Sequence, residues 1–219
     1  MFKLNSIQQL NTATHFLDLD IIYVPENVKV AIKNGGKFPD TPTDLHRAIV
    51  YGDERLLSSP HLASIAIAFM KFHNVVVVEL SRLYPTLTAE IKFYEARRFV
   101  ISLYQSIIYN ELLPIFVSAN AMNEYNLSGH EKCYDPELDP SVTVEFAASA
   151  ARYLNIYIQN GYFVNLRNGT RVYYKLRDLK IDWAFEEFPG VLTGLLDTPW
   201  NSADIAEEVN HPLIRSNYS

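Results

Sequence analysis

Cysteine is almost absent from this sequence: Cys133 is the only one among 219 residues, so no intramolecular disulfide can form. Basic charge is scarce too. Nineteen Lys and Arg stand against twenty-five Asp and Glu, and no basic run exceeds Arg97-Arg98, which speaks against nucleic acid and anionic membrane surfaces as partners. The apolar run Ile65 to Met70 ends at Lys71, short of a bilayer. MFKLNSIQQLN turns polar before an export signal could form, so a soluble chain made in the cytosol is expected. GxSxG, a Gly-rich phosphate loop and a CxxC pair are all missing, as are internal repeats. The histidines His15, His46, His61, His73, His130 and His211 show no metal-ligand spacing.

What is present is apolar: 48% of the side chains, enough for one domain over residues 1–219. Leu62, Ile65, Ala66, Phe69, Met70, Val76, Val77 and Leu80 recur at mostly three- and four-residue steps, and so do Phe93, Ala96, Val100, Leu103, Ile107 and Ile108. Two long helices joined at Pro85 are therefore expected to form the core, with His73 inside as a hydrogen-bonded structural histidine. Shorter helices are expected at Glu26–Lys33, ending at Asn34-Gly35-Gly36, and at Asp44–Val50. Ser118–Pro140 reads as loop, and Pro140-Ser141 opens a third helix, VTVEFAASAARYLNIYIQNGYF. Tyr162–Leu166 and Arg171–Leu176 flank Asn168-Gly169, which predicts a β-hairpin with a type I′ turn. Two short helices around Pro189 complete a mainly α fold.

The segments GDERLLSSP, LASIAIAFMKFHN, EARRFVISLYQSIIYNELLP and DPSVTVEFAASAARYLN resemble, in order and spacing, the core motifs of the animal haem peroxidase family. The resemblance implies a truncated version of that helical fold. It places Arg55 at the family's distal catalytic arginine and Arg152 at an arginine that pairs with a haem propionate. Asn155 stands where the family has its proximal histidine, and an amide is a poor ligand for haem iron. Ser58 replaces a glutamate that can be ester-linked to haem. The distal histidine belongs to a segment upstream of these motifs. No catalytic residue and no haem are expected on this reading, which makes a haem-free pseudoperoxidase, acting as a binding or interaction module, one candidate.

THFLDLD is similar to the same family's calcium loop, T-x-F-x-D-x-S, and implies Thr14, Phe16, Asp18 and Asp20 as metal ligands. A solvated acidic turn is the other reading of these four residues. Cys133, in a polar stretch with Gly and Pro, is either a lone thiol or a bridge between subunits. Asn126-Leu127-Ser128 and Asn168-Gly169-Thr170 are glycosylation sequons, expected to be unused without an export signal. Glu186-Glu187 and Glu207-Glu208 read as solvated helix faces.

Size, helical pattern, the single cysteine and the emptied active site together resemble viral occlusion-body proteins, the nudivirus polyhedrins. That resemblance implies a non-enzymatic structural protein that assembles with itself into a crystalline lattice around virions in the infected nucleus and dissolves in alkali. Terminal arms exchanged between subunits are expected to support such assembly.

Overall fold

The computed structural model describes residues 14–127 and 136–199. Cys133 and the terminal arms expected to exchange lie outside the described residues. As the sequence suggests, the described chain is mainly helical with one two-stranded hairpin. It divides into two compact units, one of residues 21–100 and 142–199, the other of 14–20, 101–127 and 136–141.

In the first unit, helices α1 (Pro25–Lys33), α2 (Pro42–Gly52) and α3 (Pro60–Leu83) each begin with proline, whose missing N–H costs nothing at a helix start. Thr41 and Ser59 cap α2 and α3 by accepting from the backbone N–H groups of Asp44 and His61. Helix α4 (Ala89–Ile107) follows the turn at Pro85. The core is built from Ala63, Ala66, Ile67, Met70, His73 and Val77 of α3, facing inward with Phe93, Ala96 and Val100 of α4.

The face of α3 differs from expectation. Leu62 and Ile65 are 47% and 40% exposed, while the small or polar Ala63, Ser64 and His73 are inside. Apolar residues surround this helix, so their spacing alone cannot choose its buried side. The run ending at Lys71 also understates the helix. Pro60–Leu83 and Ala89–Phe116 are both long and apolar enough to cross a membrane by length and composition, although α3 commits its Ala63–Val77 face to packing within the protein.

The third expected helix is the larger correction. Only α7 (Val144–Ala148) is α-helical; Ser149 leaves the helical region, and Ala150–Tyr157 continues as a 3-10 segment. Alanine-rich propensity stabilises a helix weakly when no face is buried, and residues 144–153 are all exposed.

Strands β1 (Gly161–Asn165) and β2 (Arg171–Lys175) pair antiparallel, Gly161 opposite Lys175 and Asn165 opposite Arg171. Their turn is not type I′. Gly169 alone adopts positive φ, +83°, with its N–H donating to the Leu166 carbonyl at 2.9 Å, and Leu166 N–H reaches the Thr170 carbonyl at 2.9 Å. The loop thus holds three residues, a tight turn followed by a left-handed glycine. Two short helices form in this region as expected, α8 (Trp183–Glu186) and α9 (Phe188–Asp197), with Pro189 in the first turn of α9. Helix α9 lies directly on β1, where a Cβ at Gly194 would stand 2.0 Å from the Phe163 carbonyl oxygen.

The second unit holds residues 14–20, the end of α4, a π-helical turn at Ile108–Leu112 and α5 (Leu113–Phe116). The wider turn comes directly before Pro114, a residue that cannot continue regular α-helical hydrogen bonding. Within the expected loop from Ser118, α6 (Ala119–Glu124) forms, capped by the Ser118 hydroxyl.

Candidate functional site

Asp53 initiates the 3-10 turn Glu54–Ser58 by accepting from the Arg55 backbone N–H at 3.0 Å. The same carboxylate grips the Arg55 guanidinium, with Nε 2.9 Å from Oδ1 and 3.0 Å from Oδ2. That charged side-chain contact is the main reason the Asp53 carboxyl is held below the usual carboxylate range. The turn is seated closely, since a Cβ at Gly52 would meet the Ile21 carbonyl oxygen at 1.8 Å. Ser58 is exposed at the end of the same turn.

The next pair of motif residues, His73-Asn74, clamps a loop onto α3. Asn74 Oδ1 accepts from Phe38 N–H at 2.7 Å while its Nδ2 donates to the Phe38 carbonyl at 2.8 Å. His73 is fully buried, its Nε2 3.1 Å from the Gly36 carbonyl and its Nδ1 3.0 Å from the Tyr23 hydroxyl. The expected structural role of His73 is thus what the fold uses. Burial lowers the His73 pKa to about 4, with the Gly36 backbone opposing it in part. Burial likewise pushes the Tyr23 phenol up, against the pull of Arg97, whose guanidinium stands 5.2 Å over its ring.

Sequence reasoning missed a second buried histidine. His61, 4% exposed, stacks at 4.3 Å on Tyr162, and Ser64 lies one turn further along α3. Neither ring nitrogen of His61 nor the Ser64 hydroxyl meets a hydrogen-bond partner among the described residues. Burial lowers the His61 pKa to about 4, and the Phe163 backbone offsets only part of this without reaching hydrogen-bond geometry at the ring. A polar residue at a helix start carried no sign of burial, because the stacking partner is a hundred residues away.

Arg152 is exposed on the 3-10 segment Ala150–Tyr157, which also carries Asn155. The donor set there does not fit haem iron: an asparagine amide occupies the motif position where imidazole would bind, and its nitrogen has no available lone pair. Both nitrogens of His73 are already engaged, so it offers no substitute.

In the other unit, the four residues named as metal ligands do come together. The Thr14 hydroxyl donates to Asp18 Oδ1 at 2.8 Å and lies 3.3 Å from the Phe16 carbonyl oxygen. Asp20 Oδ2 accepts from Thr14 N–H at 2.9 Å, and Asp18 Oδ1 from Asp20 N–H at 3.2 Å. Leu19 enters the left-handed region, φ +54°, to close the loop, and Gln105 Nε2 donates to the Leu17 carbonyl at 3.1 Å. Hydroxyl, carbonyl and carboxylate oxygens suit a hard cation in kind, yet among the described residues no group of three His, Cys, Asp or Glu is placed to hold a metal.

Comparison with known proteins places these motifs in context. The family model described as animal haem peroxidase matches residues 30–215. A chorion peroxidase of Aedes aegypti is 29% identical over 175 residues, covering 69% of this chain and 22% of that protein. A peroxidase of Drosophila melanogaster is 29% identical over 184 residues, covering 69% of this chain and 26% of its own length. Human dual oxidase 1 is 32% identical over 120 residues, 55% of this chain and 7% of that one. Among solved structures, peroxidase A from Dictyostelium discoideum superposes with a TM-score of 0.71 at 20% identity, over 91% of this chain and 43% of that chain, a likeness of fold.

These matches overturn the occlusion-body reading. The relatives carry peroxidase and oxidase names, so the expectations of a viral lattice protein, of a non-enzymatic lineage and of a nuclear occlusion body are all corrected. The emptied site and single cysteine that suggested a polyhedrin describe a divergent member of the animal haem peroxidase family equally well.

Proposed function

Since this chain belongs to the animal haem peroxidase family, we propose that it serves a peroxidase-type domain in peroxide-dependent oxidation, contributing Arg55, the helical wall and the loop at Thr14–Asp20 but no iron-ligating imidazole at position 155. The observation that carries the reading is the register of four motifs along a fold shared with a solved peroxidase. On this reading Arg55 supplies positive charge in the turn Glu54–Ser58, and Thr14, Phe16, Asp18 and Asp20 hold calcium. The chain spans about a quarter or less of the curated insect relatives it matches, so the activity of such relatives reaches it only as part of this proposal.

Asn155 favours a second reading, a haem-free family member acting as a binding module. Exposed Leu62, Ile65 and Phe99 would then offer apolar surface for self-association. One preparation separates the two: haem addition followed by absorption and peroxide-dependent oxidation of a phenolic donor, with sedimentation alongside. Turnover above that of free haem supports the oxidase reading; its absence with concentration-dependent assembly supports the module. Calcium binding is checked by a rise in melting temperature that Asp18→Asn abolishes.

A further inference from the structure

We propose that Asn168 is a site of N-linked glycosylation. The sequence offers two sequons, and the fold separates them. Asn168 occupies the tip of the hairpin loop, exposed together with Arg167, Gly169 and Thr170. Its Oδ1 accepts from the Thr170 N–H at 2.9 Å, which orders the Asn-Gly-Thr triplet as a compact turn. The space around the tip is open: a Cβ built on Gly169 meets no heavy atom within 4 Å. A glycan attached there projects into solvent and touches neither the β1–β2 ladder nor α9.

Asn126 is the weaker acceptor. It closes α6 with φ +49°, its backbone N–H bonded to the Asn123 carbonyl at 3.1 Å, and its sequon is completed by serine.

The chemistry is ordinary amide transfer. Asn168 Nδ2 forms a bond to C1 of the sugar of a lipid-linked oligosaccharide; the C1–O bond breaks, the lipid pyrophosphate leaves, and one amide proton is lost. Such a bond also removes the free carboxamide from an Asn-Gly pair, where attack by the Gly169 nitrogen on the Asn168 side chain would otherwise expel ammonia. The inference sets aside the expectation that both sequons go unused; independently of the oxidase reading, it requires that the chain meets the lumenal transferase.

The test uses the full chain behind a cleavable secretion signal, translated with microsomes, with Asn126→Gln present throughout so that one sequon is read. The expected result is a single upward mobility step, removed by endoglycosidase and lost in both Asn168→Gln and Thr170→Ala. Asn168 and Thr170 are both exposed at the loop tip, so these variants are expected to fold as the natural chain does. A membrane-protected chain without the step, or a step that survives Asn168→Gln, would overturn the proposal.

Discussion

The Tyr23 hydroxyl and His73 Nδ1 lie 3.0 Å apart in the interior, and the Gly36 carbonyl at Nε2 fixes which of them gives the proton. A carbonyl can only accept, so Nε2 carries the hydrogen, Nδ1 is the acceptor and Tyr23 donates. Three segments, before α1, after α1 and in the middle of α3, are joined through one ring. Phe38 and Phe93 close around it with ring centroids 5.0 and 4.8 Å from His73. His73→Leu orphans two partners and is expected to cost about 2–4 kcal/mol; Tyr23→Phe orphans one nitrogen and should cost about 1–3 kcal/mol. In urea unfolding the double variant should lose less than the sum of the singles, because the second change removes a partner already orphaned. Strict additivity would show that the bond contributes nothing.

The same burial sets a pH dependence. With pKa values of about 4 in the folded state against an ordinary 6.5, His61 and His73 bind fewer protons folded than unfolded between those values. Stability is therefore full above pH 6.5 and is lost as pH falls toward 4, by about 3 kcal/mol for His73. Melting temperature should decline steadily from pH 7 to pH 4.5, and the decline should be shallower in His73→Leu. A flat profile would mean that neither ring is buried neutral.

Ser64 and His61 behave oppositely to His73 because no hydrogen-bond partner meets them among the described residues. Removing an already orphaned hydroxyl relieves a desolvation cost, so Ser64→Ala should be neutral or stabilising by up to about 1 kcal/mol. Met70→Ala, one buried face further along the same helix, should cost about 2–5 kcal/mol. Thermal melts of the two variants side by side check the contrast; a Ser64→Ala loss comparable to Met70→Ala would reveal a partner for the hydroxyl.

Two glycines divide steric from conformational cost. Gly194→Ala places a methyl 2.0 Å from the Phe163 carbonyl oxygen and 2.6 Å from its carbon, which forces α9 off β1. The expected loss exceeds about 3 kcal/mol, at the upper end of overpacking. Gly169→Ala has open space but φ +83°, and should cost only about 1 kcal/mol. Reversed costs in denaturant titrations would remove the close helix–strand contact from the fold.

Much of the fold was legible because its signals are local. Proline at the starts of α1, α2 and α3, glycines after α1, and Asn168-Gly169 between two β-rich runs each act within a few residues. The buried face of α3 was not legible, since Leu62 and Ala63 compete for the core only once α8, α9 and β1 are in place. The segment after Thr143 misled for the reverse reason: its alanines favour helix, but among the described residues no packing surface extends it. At the site, motif order exposed Arg55, Asn155 and the calcium-type loop. The Tyr23–His73 bond and the orphaned His61 depend on contacts across fifty to a hundred residues, which spacing does not encode.

The central claim is that the family fold persists while position 155 no longer supplies an imidazole to iron. Haem titration monitored by absorption, on the natural chain and on Asn155→His, tests it most directly. The account predicts no histidine-ligated Soret spectrum for the natural chain and the appearance of one in Asn155→His. A natural chain that gives a histidine-type spectrum as strong as that variant would contradict it.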